Sequence, residues 1–251
     1  MQQLIDSNPV KGDPVALRAR LAEDGYLFFR GLLPVDDVTG VRTEVASALD
    51  QAGWLAPGST ADAPLPTGDA VREGQPGYFD AYVGIQRSQT FHELAHHPAI
   101  VEVMGELFGE PLLVHPRKIA RTSLPQDDEY TRPHQDYRLI QGTVDTLTCW
   151  IPLGDCPASL GSLQMLQGSH QRGLVEADPG KGPGGLQVEV DEDHPDWRTT
   201  DYRAGDAIVF TSLTVHGALR NNADRLRFSA DFRYQSALAP VLVHSLDPHY
   251  F

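Results

Sequence analysis

From Leu112 onward the chain changes texture, and that change limits the fold more than any other feature. Short runs of alternating apolar residues recur at 112–121, 146–153, 162–166, 186–190, 207–211 and 228–235, punctuated by Gly and Pro. Alternation with a period of two puts every second side chain on one face of a strand. Several such runs spaced about ten residues apart predict an antiparallel sandwich or barrel. The first part reads differently. Asp13-Pro14 is an N-cap followed by proline, and a helical pattern runs from it to Gly25. Tyr26-Leu27-Phe28-Phe29 reads as a buried strand. Val35, Val38, Val41, Val45 and Leu49 recur near a 3.6 period and predict a helix over 34–52. Residues 90–108 read as a helix in two pieces, broken at Pro98 and stopped at Gly109. Between these helices, 53–77 is rich in Gly, Pro, Ala and Asp, and reads equally as a lid or substrate wall and as a disordered insertion. The expected fold is mainly β with flanking helices (α+β), as one domain over 1–251. Residues 1–111 supply helical support and the lid loop, 112–235 the barrel, and 236–251 a tail.

Within the barrel half, Arg132-Pro133-His134-Gln135-Asp136-Tyr137 carries a His-x-Asp pair. In an extended segment residues i and i+2 share a face, so one imidazole and one carboxylate can aim at a single point. That is two thirds of the 2-His-1-carboxylate triad of non-haem Fe(II) oxygenases. On its own the pair reads as an exposed polar turn, so the question is where a third ligand lies. His216, in Thr214-Val215-His216-Gly217-Ala218, ends a predicted strand, and the glycine after it permits close approach to another backbone. Arg227 follows eleven residues later. It starts an apolar-alternating strand and is expected to point inward. A buried guanidinium needs an anion. A dicarboxylate co-substrate gripped by two parallel hydrogen bonds supplies one; an ion pair with an aspartate such as Asp231 is the plainer alternative.

A competing pattern is His92-Glu93-Leu94-Ala95-His96, the His-Glu-x-x-His spacing of zinc peptidases, in which two imidazoles one turn apart grip zinc beside a glutamate base. Pro98 breaks the helix straight after it. Phe91, Leu94 and Ala95 form the buried face, which leaves His92 and His96 toward solvent.

Taken together, these residues resemble the phytanoyl-CoA dioxygenase family of Fe(II)- and 2-oxoglutarate-dependent oxygenases. The resemblance extends over Asp24-Gly25-Tyr26-Leu27, Gly31-Leu32-Leu33-Pro34, His97-Pro98, Leu107-Phe108-Gly109, His134-Gln135-Asp136, Trp150-Ile151-Pro152-Leu153, Gly168-Ser169-His170, Gly205-Asp206, His216 and Arg227. It implies a double-stranded β-helix, the jelly-roll or cupin-like barrel, behind an N-terminal helical layer. It implies that His134, Asp136 and His216 bind the metal and are catalytic, that Arg227 takes the tail of 2-oxoglutarate, and that Trp150 lies beside this co-substrate. A side chain on the strand before the motif usually contacts co-substrate or substrate; Arg117 and Arg121 are expected on one face there, and Arg117 is the choice. The implied cofactors are Fe(II), 2-oxoglutarate and O2, with ascorbate as a possible reductant. The chain departs from the family pattern at Ala218, where a hydroxyl residue commonly stands, and at Gln167, where proline is usual; His170 is expected to close a turn rather than bind metal.

Because the carboxylate Asp136 is present, no ligand position is left for halide, so halogenation is not expected. Hydroxylation of an unactivated C–H bond is the default, with desaturation or oxidative cyclisation open at the same site. The formal net charge of -14 and the lack of a Lys/Arg-rich run disfavour nucleic acid, anionic membranes and polyphosphate substrates such as CoA esters. A small polar metabolite is expected, the resemblance implies a role in natural-product biosynthesis, and oligomeric state is left open. Tyr78, Phe79, Asp80, Tyr82, Trp197 and 240–251 are candidate pocket walls. Two cysteines make no disulfide framework, and with no leader or spanning segment evident a reduced cytoplasmic enzyme is expected. The other classes kept in view are a zinc hydrolase on the His92–His96 helix and a non-catalytic barrel that holds a carboxylate metabolite.

Overall fold

The computed structural model describes residues 2–249. Its first part comprises β1 (Gln2–Gln3), α1 (Pro14–Asp24), β2 (Tyr26–Phe29), α2 (Val35–Gln51), α3 (Tyr78–Gln86), α4 (Gln89–Leu94) and α5 (Pro98–Phe108). The local signals act as expected. The Asp13 carboxylate accepts from the amides of Val15 and Ala16, and Gly25 closes α1 in the left-handed region. His97 and Pro98 start α5, and Gly109, also left-handed, ends it. Val38, Val41, Val45 and Leu49 are buried along α2, whereas Val35 at its first turn is exposed.

The second part holds β3 (Leu112–Val114), β4 (Ile119–Ser123), α6 (Tyr137–Ile140), β5 (Leu147–Pro152), β6 (Leu163–Leu166), β7 (Asp178–Pro179), β8 (Leu186–Gln187), β9 (Trp197–Thr199), β10 (Ala207–Thr211), β11 (His216–Ala218) and β12 (Arg227–Ser236). One sheet runs β2-β10-β5-β12-β3, with β4 also on β12; the other runs β1-β9-β6-β11. This is a jelly roll behind a helical layer. The strand expected over 112–121 is two strands, because 115–118 leaves the ladder at Pro116, which has no amide hydrogen to donate. Of 186–190 only β8 pairs, with β7, in a side hairpin. β9 has no apolar alternation and was not expected.

The larger sheet separates two chemistries. Phe228, Ala230, Phe232 and Tyr234 on one face of β12 join Leu27, Phe29, Cys149, Ile151 and the helices in the main core. Burying each such phenylalanine stabilises the fold by about 2–3 kcal/mol. The opposite face of the same strand presents Arg227, Ser229, Asp231, Arg233 and Gln235, all buried, to the barrel interior. There, Tyr26, Phe28, Trp150 and Phe210 pack against Leu163 and Met165 of the smaller sheet. The 53–77 stretch is an ordered wall. Trp54 is buried, Leu55 and Pro66 form a bridge, and Arg72 pairs with Asp127 (3.1 Å) and Glu129 (2.8 Å) across the barrel mouth. Cys149 and Cys156 are buried and free. Among the described residues no helix is long and apolar enough to cross a membrane.

Candidate metal centre

His134 and His216 are brought together by backbone pairing. The His134 amide donates to the His216 carbonyl (2.8 Å) and the His216 amide to the His134 carbonyl (3.0 Å), which extends the smaller sheet by one bridge. The two imidazole centroids lie 4.3 Å apart. Asp136 is not extended, as its spacing from His134 suggested. It adopts helical angles at the start of α6, and that turn swings its carboxylate under both rings. Its Oδ1 is 3.6 Å from His134 Nε2 and 3.8 Å from His216 Nε2. Ligand atoms of the three residues all fall within 4.8 Å, and this is the only such His/Cys/Asp/Glu cluster among the described residues.

Gly217 lets the two ligand segments meet. A Cβ there would stand 3.0 Å from Pro133 N and 3.1 Å from Arg132 C, both backbone atoms that cannot swing aside. Gly217→Val is therefore expected to part the His134–His216 bridge and lower metal affinity at least tenfold; unchanged metal uptake with an unchanged melting temperature would refute this.

The donor chemistry suits a divalent transition metal. His134 Nδ1 lies 2.8 Å from the Arg132 carbonyl and His216 Nδ1 lies 2.9 Å from the Thr214 carbonyl. A carbonyl only accepts, so each Nδ1 carries the proton and each Nε2 lone pair faces the carboxylate. Burial, with His134 alongside, pushes the His216 imidazole down to about 3, so it is neutral near neutrality. Burial alone would raise the Asp136 carboxyl. The Arg233 guanidinium outweighs burial and holds it well below the usual carboxylate range. Arg233 Nη2 lies 3.3 and 3.4 Å from its two oxygens, and Thr148 Oγ1 donates to Oδ2 at 2.6 Å. Two imidazoles held through their Nδ1–H groups and one ionised, hydrogen-bonded carboxylate form the ligand set of a non-haem iron site. Thr148→Val, which removes the hydroxyl and keeps the volume, is expected to weaken iron binding about 10–100-fold, as loss of an outer-shell partner usually does; iron titration of the variant checks it.

Arg227 opens β12 and is 5% exposed. Its Nη1 donates to Ser229 Oγ (2.6 Å), its Nε has no acceptor, and its guanidinium lies 5.8 Å from the Trp150 ring centroid. Asp231 is not its partner; Asp231 is taken by Arg121 Nε. No carboxylate pairs with Arg227 among the described residues. A buried, unpaired guanidinium costs several kcal/mol unless an anion reaches it, and burial pulls its pKa down from the ordinary arginine value. Arg227, Trp150 and the three metal-facing side chains line one small cavity, with Thr131 and Ala218 also on its wall. The lining, with a metal-binding triad at one end and an unpaired guanidinium at the other, thus suits the chemistry of a carboxylate-bearing co-substrate. Thr131 stands where it can supply the hydroxyl that Ala218 lacks.

Arg117 is not in that cavity. It lies in the break between β3 and β4, outside the strand that carries Arg121, so the two do not share a strand face; Arg121 lines the metal cavity and Arg117 a neighbouring one. Arg121 was named and passed over for Arg117; Thr148 and Arg233 were missed, although parity finds both. Thr148 is two before Trp150, and Arg233 is six after Arg227, on the same strand faces. Among the other candidate walls, Tyr78 borders the barrel mouth beside Arg121, while Phe79 is exposed. Trp197 is core, with Nε1 donating to the Asp191 carbonyl at 3.0 Å. Of the 240–251 tail, His244, Ser245 and His249 line the neighbouring cavity, while Tyr250 and Phe251 fall outside the described residues.

The His92–His96 pattern does not assemble. α4 ends at Leu94, His92 Nε2 is engaged with the Gln86 carbonyl (2.8 Å), and His96 is exposed beyond the helix end, 3.4 Å from Lys118 Nζ. His170 closes a turn as expected, with Nε2 donating to the Ala22 carbonyl (3.0 Å).

A jelly roll with this triad and an inward arginine on the adjoining strand defines a non-haem Fe(II)- and 2-oxoglutarate-dependent oxygenase. The chain belongs to the phytanoyl-CoA dioxygenase (PhyH) family, whose model matches residues 21–229. Over 97% of its length and 88% of the relative's, it is 27% identical to 1-deoxypentalenic acid 11-beta-hydroxylase of Streptomyces arenae. Its structure is similar to that of the epimerase SnoN in complex with Fe3+, alpha ketoglutarate and nogalamycin RO, with a TM-score of 0.63, 25% identity and 94% and 91% of the two chains covered. It shares its fold with the alpha-ketoglutarate-dependent carbocyclase SnoK of nogalamycin biosynthesis (TM-score 0.63, 24% identity, 90% and 85% covered).

Proposed function

We propose that His134, Asp136 and His216 hold Fe(II), that Arg227 and Trp150 seat 2-oxoglutarate, and that the chain oxidises an unactivated C–H bond of a small metabolite. Hydroxylation is the default outcome; cyclisation or desaturation follows from a different pose of the substrate. Residues 1–251 act in this reading as one oxygenase domain. The observation that carries it is the pair of Nδ1–H···O=C bonds, which turns both Nε2 lone pairs toward one ionised carboxylate. When bound, iron and 2-oxoglutarate supply the oxidising power, O2 being consumed as 2-oxoglutarate is converted to succinate and CO2. The protein's own groups orient and insulate. Arg233 and Thr148 keep Asp136 ionised and aimed. Arg227 would neutralise the distal carboxylate, its fork would orient the co-substrate, and Trp150 would wall it. Phe210 and Leu163 close the interior face against water.

A relative that hydroxylates 1-deoxypentalenic acid and a structural neighbour that binds nogalamycin RO support a role in natural-product biosynthesis. The buried, free cysteines support a reduced, cytoplasmic setting. The test is slow, substrate-independent conversion of 2-oxoglutarate to succinate by the Fe(II)-loaded protein. Succinate formed by wild type and not by Asp136→Ala supports the reading; equal rates in both would contradict it.

A further inference from the structure

A second cavity, of about 230 Å³, adjoins the metal cavity. The two share Arg121. Arg233, the partner of Asp136, lines the second cavity, as do Leu139 and Ile140 of the helix that Asp136 begins. Ile119 adds apolar wall, and His244, Ser245 and His249 of the tail close the far side. The tail is held in place by the 2.7 Å contact of His249 Nδ1 with the Tyr82 hydroxyl.

In a chain of net charge -14, the charges here are inverted. Arg117, Arg121 and Arg233 line the cavity, and Glu73 is its one acidic lining residue among the described residues. Arg121 is occupied by Asp231, with Glu73 at 4.0 Å, and Arg233 by Asp136. Arg117 is different. Its contact is a 3.4 Å approach to the His244 carbonyl, and no carboxylate lies within ion-pair distance of it among the described residues. Arg233 Nε, buried, also has no acceptor. Among the described residues that line the two cavities, four guanidiniums (Arg117, Arg121, Arg227, Arg233) face three carboxylates (Glu73, Asp136, Asp231). Fe(II) and dianionic 2-oxoglutarate cancel each other. Among these described residues one positive charge remains, and the pairing leaves it on Arg117. His249 senses the same field: burial, then Arg117, Arg121 and Arg233, push it down to about 3, so it is neutral and adds no charge of its own.

We propose that this cavity is the substrate site of the oxygenase and takes a compact apolar molecule bearing a single carboxylate, held by Arg117. Its body lies between Ile119, Leu139 and Ile140 and is directed toward the metal. This rests on the oxygenase reading above. It also makes Arg117 a specificity residue for the substrate rather than a co-substrate ligand.

The test uses the protein loaded anaerobically with Fe(II) and 2-oxoglutarate, with 2-oxoglutarate binding measured first on each variant. Adamantane-1-carboxylate and its neutral isostere adamantane-1-carboxamide are then titrated by calorimetry. The carboxylate is expected to bind at least tenfold more tightly than the amide. Arg117→Gln is expected to abolish that preference, and Arg117→Lys to restore part of it. Equal binding of acid and amide, an unaltered preference in Arg117→Gln, or no binding of either by a protein that does bind 2-oxoglutarate overturns the substrate proposal alone. An Arg117→Gln protein that loses 2-oxoglutarate would return Arg117 to the co-substrate site and likewise overturn it. A wild-type protein that fails to bind 2-oxoglutarate removes the oxygenase reading with it.

Discussion

His216→Ala is expected to abolish iron binding and 2-oxoglutarate turnover together, with turnover falling on the order of a thousandfold or more. His134 and Asp136 would remain, but two donors from one short segment no longer make a face. Losing even an outer-shell partner costs 10–100-fold, and a direct ligand is worth more. The fold should survive, because His216 contributes its bridge to His134 through backbone atoms that alanine keeps. Circular dichroism would show this, metal analysis the lost iron, and succinate assay the lost turnover. His92→Ala, at the abandoned zinc pattern, should change neither metal content nor turnover. A His216→Ala protein that keeps its iron would move the metal elsewhere.

Removing the Arg227 charge is the second large effect. Arg227→Ala is expected to raise the KM for 2-oxoglutarate about 10–100-fold, the equivalent of about 1.5–3 kcal/mol for a charge-assisted contact. With 2-oxoglutarate saturating, kcat should fall far less. Arg227→Lys should recover only part, since an ammonium lacks the planar fork. Stability gives an independent readout. In the absence of co-substrate the wild-type guanidinium is buried without a carboxylate, so Arg227→Met, which keeps the packing, should melt no lower than wild type. Wild type should gain stability when 2-oxoglutarate is added, and the variant should gain little. A KM within twofold of wild type in Arg227→Ala would place the co-substrate tail elsewhere.

Much of this site was legible because strand parity and ligand chemistry are local rules. Arg227 was expected to point inward from alternation alone, and it does. Phe28, Val38, Val209 and Phe232 fell where their periods put them. The zinc pattern failed because α4 stops at Leu94, before His96, and Pro98 opens the next helix. What was not legible depends on partners distant in the chain. One local signal was passed over: Pro116, next to Arg117, breaks the strand, so the expected face of Arg117 was wrong. Nothing near Arg121 says that Asp231 would take its guanidinium and leave Arg227 unpaired. Asp136 reaches the two imidazoles through a helical turn rather than an extended pleat, a choice made by the short α6 that follows it. The 53–77 stretch lacks regular pattern, and only its contacts, such as buried Trp54, mark it as a wall.

The most direct test of the central claim is an anaerobic titration of metal-free protein with Fe(II) and 2-oxoglutarate, followed by the weak visible charge-transfer absorption of the iron chelate. A band that saturates at one iron and one 2-oxoglutarate per chain is expected. No band, from a protein that instead retains zinc, would contradict it and return weight to the helix bearing His92 and His96.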